Sequence, residues 1–496
     1  MYFCLQWIVS GLGISSLIAF FLSSNYTCLL LACILALASN ILFSARRSER
    51  VYFLFFNLTI FFFILGRPTI QLLSGEEWWK SRERLYGSLD SMAFTLTAVL
   101  ISLVCLRIGV LVAEAIFQDR PLRWKEQEAQ EINTAFMKML RMISLLAFVV
   151  CAGFEAMVGL EKVLFMQGRE YIEYYSSFSS RLPSFVQSFA TMARYALCIF
   201  LATMPSKKLA FFPLVGYLAL SIPMLLVGVR NETLLRCLFV FLYYFVRDIL
   251  DGRQANGRRK WIGRVEVTLL IVAVPALLLF SSVYSAIRED REIASKNALS
   301  AMRQLIVEQG VTFRIMGNAY DALPEIQTKH FVIGPLLDAL EHGTLAQSWF
   351  DAPASIDTNS VEKATQYHDF SHSMSYAVLK EEYLAGRGLG SSYILEAYAD
   401  GGYVGVALLS FALGIVLPGL LLCMKKNWVW RLFALMSLRT IFFIPRSSAM
   451  GWLMFLGAKS FWFIVLVCVG LAALASERNH LYISPLQRQR IPARNV

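Results

Sequence analysis

Two carboxylates, Glu396 and Asp400, open the apolar stretch ILEAYADGGYVGVALLSF, where a membrane span would ordinarily begin with apolar residues. On a helix, Tyr393, Glu396, Asp400 and Tyr403 are spaced i, i+3, i+7 and i+10, so two carboxylates and two phenols share one face. A carboxylate placed here could take a proton from a hydroxyl group. Alternatively, both carboxylates neutralise nearby arginines and the tyrosines form an interfacial belt.

Basic side chains would complete this chemistry. A charged side chain costs about 2.5–3.5 kcal/mol at the centre of a membrane helix, so a span keeps one only where it faces water or a partner. The candidates within spans or in the turns that join them are Arg194, Arg230, Arg236, Arg288, Arg291, Arg439, Arg446 and Lys459. Arg107 is set apart, because snorkelling or an ion pair with Glu114 explains it.

These basic groups come from several helix ends on one side of the membrane. They predict a cationic cavity that holds a multiply charged anion such as a diphosphate, because the arginine fork pairs with phosphate oxygens through two hydrogen bonds. The alternative is a separate structural role for each arginine.

Metal and nucleotide signals are weak. His368 and His372, in HDFSH, could bind a metal from one helical face, but the sequence shows no third ligand near them. It also contains neither a D-x-D motif nor a G-x-x-x-x-G-K-[ST] phosphate loop. We therefore predict chemistry that uses no metal and no cofactor.

The elements that must position these residues are membrane helices. The chain is 57% hydrophobic and only 16% charged, which indicates an integral membrane protein. Apolar runs of about 20 residues predict an all-α polytopic fold with about 12 transmembrane helices. Nine spans fall in 1–285, the ninth at 265–285, and three in 396–475. A large, partly helical loop at 286–395 separates them, and a basic tail follows at 476–496.

Lysine and arginine in the short loops set the orientation. They concentrate on the side that holds both termini, which predicts cytoplasmic ends and a long loop outside. This distribution accounts for most of the net charge of +11, so no nucleic-acid partner is expected. In the long loop, IASKNALSAMRQLIVEQG predicts an amphipathic helix and GPLLDALEHG a second, short one.

Several short motifs resemble the Wzy-type polymerases of O-antigen and related surface polysaccharides. The likeness spans roughly residues 228–411 and is carried by VGVRNE, AIRE, YDALPEI and GLGSSYILEAYADGGYVGV. Such proteins often carry an aromatic residue after the acidic position, where this chain has Gly401 and Gly402. The resemblance implies a polytopic glycosyltransferase of GT-C-like architecture. It would move a growing glycan from undecaprenyl diphosphate to the non-reducing end of a new lipid-linked repeat unit, without a metal.

The resemblance also implies roles, partners and a location. Arg230, Arg288 and Arg291 would bind the donor diphosphate, supported by Arg194, Arg439 and Arg446. Glu396 or Asp400 would remove the proton, and Tyr393 and Tyr403 would contact substrate. The active site would lie on the periplasmic side of the bacterial inner membrane, and the substrates would be undecaprenyl-diphosphate-linked oligosaccharides. Membrane lipid would surround the protein, and a chain-length regulator protein is left open as a partner.

Two other functions remain open from the sequence. An O-antigen ligase, which joins the polymer to lipid A core, would use similar parts. A lipid-linked oligosaccharide flippase or another transporter would also have about twelve spans. Many transporters consist of two similar halves with short outer loops, whereas this chain places its extra length in one late loop.

Overall fold

The computed structural model of the chain is helical, with no strand in the part of the chain that it describes. The described residues are 2–78, 88–117, 134–169, 173–174, 177–252, 261–263, 268, 298–343, 346–347, 350–353, 356 and 358–488.

Ten helices lie in the described residues up to Gly252. They are α1 (Tyr2–Ser23), α2 (Tyr26–Ala45), α3 (Val51–Ile60), α4 (Gly66–Leu73), α5 (Leu89–Phe117), α6 (Ala135–Phe165), α7 (Ser184–Ala202), α8 (Lys207–Ala219), α9 (Ile222–Val227) and α10 (Arg230–Gly252). A π-helical segment, Phe61–Leu65, joins α3 to α4.

Nine more helices lie among the described residues from Ala298 onward. They are α11 (Ala298–Gln309), α12 (Thr312–Ala322), α13 (Gly334–Glu341), α14 (Val361–Gln366), α15 (Phe370–Leu379), α16 (Glu381–Leu384), α17 (Tyr393–Met424), α18 (Trp428–Ile441) and α19 (Lys459–Arg488). Short 3-10 turns, Ile444–Arg446 and Gly451–Gly457, lie between α18 and α19. Helix α13 confirms the short helix predicted at GPLLDALEHG.

Ten helices within the described ranges are long and apolar enough to cross a membrane. This confirms the all-α polytopic fold. Helix α10 covers the predicted eighth span but is not among the ten, since it carries Arg236, Arg247 and Asp248 in its interior. Most of the predicted ninth span, 265–285, lies outside the described residues.

Helices α5 and α17 pack with their backbones in close contact. A Cβ atom added to Gly109 would lie 2.2 Å from the carbonyl oxygen of Phe411, and one added to Gly414 would lie 2.3 Å from that of Leu106. Glycine at both positions therefore lets the two backbones touch, as small residues do between membrane helices. Tyr393, at the start of α17, is fully buried and bonds Ser102 of α5.

Helix α17 is bent shortly after its first two turns. Gly401 and Gly402 have non-helical backbone angles, and Gly402 has a φ of +60°, which L side chains rarely adopt. The predicted stripe is therefore interrupted, with Glu396 and Asp400 before the bend and Tyr403 after it. The segment after the bend packs on α5, and the segment before it meets the long loop.

The long loop covers one end of the bundle, which we call the loop side. Helix α11 packs on α4 so closely that a Cβ at Gly66 would lie 2.6 Å from Ile306 Cγ2. Helix α12 lies against α5, where Phe94 stacks on Tyr320 with ring centroids 4.6 Å apart. Helices α4, α5, α10 and α17 thus all have one end beside the loop.

Two basic residues from the sequence take local positions. Arg107 donates to Ser39 Oγ at 3.0 Å and lies over the Phe43 ring. Glu114 pairs with Arg50 and not with Arg107. Arg107 therefore contacts Ser39 in place of the ion pair that the sequence suggested. Lys459 is the first residue of α19 and lies at a helix end.

The close α5–α17 approach makes a stability prediction. Gly109→Ala should lower the midpoint of thermal unfolding in detergent by several degrees, because overpacking a tight contact costs about 1–3 kcal/mol. Gly153→Ala on α6 is the matched control, since its Cβ would meet no atom within 4 Å. Equal midpoints for the two variants would show that the backbones separate easily.

Candidate functional site

The loop-side end of the bundle brings arginines from separate segments to one place. Helix α11 ends at Gln309, and the Gly310 amide donates to the Ile306 carbonyl. Three consecutive residues at this end, 308 to 310, each meet an arginine from elsewhere in the chain. We call these arginines, Arg67, Arg230 and Arg446, the rim group.

Each rim arginine has a different origin. Arg230 begins α10 and pairs with Glu308 at 2.6 Å. Arg446 ends the turn after α18 and donates from Nη1 to the Gln309 carbonyl at 3.0 Å and to its Oε1 at 2.7 Å. Arg67 follows the π-helical segment, and a Cβ at Gly310 would lie 2.6 Å from Arg67 Cβ.

The electrostatic potential at the C-terminal end of α11 favours cations. The last carbonyls of a helix carry a partial negative charge, so the end of α11 attracts the guanidinium of Arg446. The buried Arg67 Nε has no hydrogen-bond partner in the structure. Arg446 also lies 5.9 Å from the ring centroid of Phe63, inside the π-helical segment. Such segments recur at functional sites in proteins.

A second group, which we call the deep group, lies around Tyr217 of α8. Arg236 donates to the Tyr217 carbonyl at 3.0 Å and pairs with Glu155 and Glu232. Arg439 hydrogen-bonds the Tyr217 side chain. Arg236 lies six residues after Arg230 on α10, which separates the two groups by roughly 9 Å along that helix.

Arg194 completes the deep group. It donates to the Tyr195 hydroxyl at 2.8 Å and lies within electrostatic range of Arg439. Its Nε is buried with no hydrogen-bond partner. Among its described members, the group therefore sets three guanidinium charges against the two carboxylates of Glu155 and Glu232.

Glu396 lies next to the rim group but does not pair with an arginine in its described contacts. Its Oε1 accepts from Ser391 Oγ at 2.7 Å, and its Oε2 accepts from Ser448 Oγ at 3.2 Å and from the Ala449 amide at 2.8 Å. The residue is only 1% exposed. It therefore ties the start of α17 to the turn that carries Arg446.

Asp400 binds the long loop. Its two oxygens accept the backbone amides of Phe331 at 2.8 Å and Val332 at 2.9 Å. Both lone-pair positions that face the loop are thus taken by backbone groups. The side chain acts as an anchor for the segment between α12 and α13.

The tyrosines of the predicted stripe separate. Tyr393 lies in the core, where its hydroxyl bonds Ser102, and Ser102 bonds Ser410 at 2.9 Å. Tyr403 is 38% exposed and packs edge-on against Tyr398. Of the two, Tyr403 has a surface that a ligand could reach.

The histidines of the HDFSH motif point to different partners. His368 Nδ1 lies 3.1 Å from Asp338 Oδ1, and Glu341 completes a set of three potential metal ligands whose atoms lie within 4.8 Å of one another. His372 Nδ1 lies 3.0 Å from the Tyr383 hydroxyl. Burial lowers the pKa of His372 below its usual value.

The sequence analysis named Arg194, Arg230, Arg236, Arg439 and Arg446. The structure places Arg230 and Arg446 at the end of α11 and the other three around Tyr217. Arg288 and Arg291 lie outside the described residues.

Reasoning from the sequence missed the partners of these arginines. Arg67 was not among the candidates, although it directly follows an apolar run. Glu155 and Glu232 were also missed, although acidic residues within or beside spans were a usable signal. Nothing in the sequence pointed to Glu308 or Gln309.

The Asp400 anchor makes a local prediction. Asp400→Ala should speed hydrogen exchange at the Phe331 and Val332 amides by roughly tenfold or more, because hydrogen bonds to charged groups contribute about 1.5–3 kcal/mol. Asp321→Ala is the control, since Asp321 accepts from Ser88 elsewhere under the loop and should leave these two amides protected. Unchanged exchange in Asp400→Ala would mean that other contacts hold the segment.

The chain matches a known protein family over nearly its whole length. A family model described as O-antigen polysaccharide polymerase Wzy matches residues 5–479, nearly the whole chain. Comparison with curated proteins finds no match, and comparison with solved structures finds none either. The chain therefore belongs to the O-antigen polysaccharide polymerase Wzy family, multi-pass membrane glycosyltransferases that polymerise lipid-linked repeat units in polysaccharide biosynthesis.

Proposed function

We propose that this polymerase grips the diphosphate of a lipid-linked donor with its arginine groups and passes the growing glycan to the non-reducing end of a new repeat unit. The carrier is undecaprenyl diphosphate. The observation that supports this most directly is the meeting of Arg230 and Arg446 at two successive residues, 308 and 309, at the end of α11. The backbone of a third arginine, Arg67, packs against the next residue, Gly310. Cations from separate segments at one loop-side position favour a multiply charged anion.

The reaction explains why cations are needed. The bond between the anomeric carbon and the diphosphate oxygen breaks, and its electron pair leaves with the diphosphate. The acceptor hydroxyl oxygen bonds to the anomeric carbon, and its proton passes to a base. Negative charge grows on the leaving group, so fixed guanidinium groups stabilise the transition state more than the bound donor.

The two arginine groups would act on the diphosphate from different depths. In our proposal the rim group binds the diphosphate beneath the loop, together with Arg288 and Arg291. The deep group, with three guanidinium charges and two carboxylates in its described part, adds positive potential from below. Guanidinium groups have the geometry to bind phosphate oxygens in pairs, so we propose that arginine takes the place a metal ion has in other phosphate sites.

For the base we propose Glu308 in place of Glu396 and Asp400. Glu308 is 39% exposed on its side chain and touches Arg230 of the rim group. Glu308 accepts only from side chains, those of Gln304 and Arg230. Glu396 is 1% exposed, and Asp400 is held by two backbone amides, so we propose that they position the Arg446 turn and the loop, respectively. Tyr403, which is partly exposed, is the better candidate of the two tyrosines for contact with sugar.

For location, we propose the bacterial inner membrane with both termini cytoplasmic and the loop side periplasmic. The excess of lysine and arginine in the segments on the opposite side supports this orientation. A chain-length regulator protein is a further proposed partner.

The central test is polymer formation by purified protein from lipid-linked repeat units. We expect a ladder on a gel from the wild-type protein. Arg446→Ala should lower its rate of formation on the order of a hundredfold, the usual cost of removing a donor to a developing anion, and Arg446→Lys should fall between the two.

Arg303→Ala is the matched control for this test. Arg303 lies on the same helix, α11, but pairs with Glu76 at 2.7 Å on an exposed surface, so its loss should leave the ladder unchanged. A single transfer to lipid A core would indicate a ligase, and no bond formation would indicate a transporter. A normal ladder from Arg446→Ala would remove the rim group from the site.

The proposed base is tested by the rate of a single turnover. Glu308→Gln should slow turnover by at least about a hundredfold, because the group that takes the proton is lost. Glu396→Gln keeps a side chain of the same shape and should lower the rate less. A rate near wild type in Glu308→Gln, with a hundredfold loss in Glu396→Gln, would reverse the two assignments.

A further inference from the structure

The long loop contains a cluster of three potential metal ligands. Asp338 and Glu341 lie three residues apart on α13, and therefore on one side of that helix. His368 comes from the segment between α14 and α15. Its Nδ1 lies 3.1 Å from Asp338 Oδ1 and 3.9 Å from Glu341 Oε2, and the three ligand atoms all lie within 4.8 Å of one another. One nitrogen and two oxygens from two separate segments thus converge.

These distances suit a small divalent cation. In a tetrahedral zinc site, bonds of about 2.0–2.2 Å to nitrogen and oxygen place the ligand atoms about 3.3–3.5 Å apart. The two distances from His368 Nδ1 lie on either side of that range. Glu341 has the most exposed side chain of the three, at 52%, so it has room to move the remaining distance.

Backbone contacts hold the two segments together independently of an ion. The His368 amide donates to Asp338 Oδ1 at 2.9 Å. At the start of α13, a Cβ on Gly334 would overlap the His368 carbonyl oxygen, so the two backbones touch there. The side chains of Asp338 and His368 are mostly buried, whereas Glu341 leaves the site open to solvent. The ligands are thus positioned in advance, and an ion has a path to them.

The electrostatic potential at the C-terminal end of α13 favours a cation. Asp338 and Glu341 both lie in the last turn, which has no basic residue, and the last carbonyls of a helix carry a partial negative charge of their own. Lys329 lies within electrostatic range of Asp338, but its ammonium group donates to the Tyr367 carbonyl at 2.8 Å. A bound cation would offset the negative charge that remains.

A second imidazole lies beside the cluster. The Nε2 atom of His342 lies 4.0 Å from Glu341 Oε2. The His342 ring stacks on Tyr367 with centroids 4.4 Å apart, and its buried Nδ1 has no hydrogen-bond partner in the structure. This ring is therefore within reach of an ion held by Glu341, where a tetrahedral site has its fourth position.

We propose that Asp338, Glu341 and His368 bind a zinc ion that braces the long loop. Imidazole together with carboxylate suits zinc better than magnesium or calcium, which prefer oxygen ligands alone. The ion would link α13 to a segment 30 residues further along the chain. Its role is structural, and it involves no residue of the rim group. Of the HDFSH motif, only His368 takes part, and the ligands that the sequence lacked beside it come from α13.

Zinc binding by the purified full-length protein tests this proposal, after removal of any purification tag and of metal by a chelator. Wild-type protein should bind one zinc ion per chain, and zinc should raise its midpoint of thermal unfolding. His368→Ala should weaken the affinity for zinc by at least about tenfold, because even the loss of a group that supports a ligand costs about 10–100-fold. His372→Ala is the matched control, since His372 contacts the Tyr383 hydroxyl and should not affect zinc binding.

A second variant covers the case in which His368→Ala disturbs the fold. Glu341→Gln changes a half-exposed side chain, so it should keep the unfolding midpoint of the metal-free protein and still weaken zinc binding. Millimolar Mg²⁺ or Ca²⁺ should not displace the zinc. No saturable zinc binding by wild-type protein, unchanged affinity in both His368→Ala and Glu341→Gln, or an equal loss in His372→Ala would overturn the proposal. None of these measurements uses substrate, so their outcome is separate from that of the proposed function.

Discussion

A guanidinium group inside a bilayer is stable only where acids, carbonyls or a ligand meet its charge. This constraint organises the structure around Tyr217, where Arg194, Arg236 and Arg439 come from three helices. Two glutamates and a backbone carbonyl offset part of that charge. The helices must therefore keep their relative rotation, because turning any one of them would leave a buried cation without its partners.

The loop depends on the same constraint at a shallower level. Helix α11 is held at its end by Arg446 and Arg230 and by the close packing of Gly310 on Arg67. The loop is thus docked by the cations that we propose for the diphosphate. Under that proposal, docking of the loop and binding of substrate draw on one set of side chains.

The sequence predicted those features that depend only on a residue's own type and its position in the chain. Apolar runs located the spans, and arginines such as Arg439 stood out because their depth in a span is costly. The partners could not be read in this way, because they are distant in the chain: Asp400 binds Phe331, and Glu396 binds Ser448 and Ala449. The bend at Gly402 was hidden because glycine is equally common at close helix contacts, so the predicted four-residue stripe was interrupted.

That bend makes α17 two rods joined at Gly401 and Gly402. The longer rod is fixed to α5 at Gly414, and the shorter one carries Glu396 and Asp400, which hold the Arg446 turn and the loop segment. The shorter rod is itself fixed to α5, because Tyr393 bonds Ser102, which also bonds Ser410 of the longer rod. Two segments that are far apart in the sequence, the Arg446 turn and the loop, therefore take their positions from one short piece of helix.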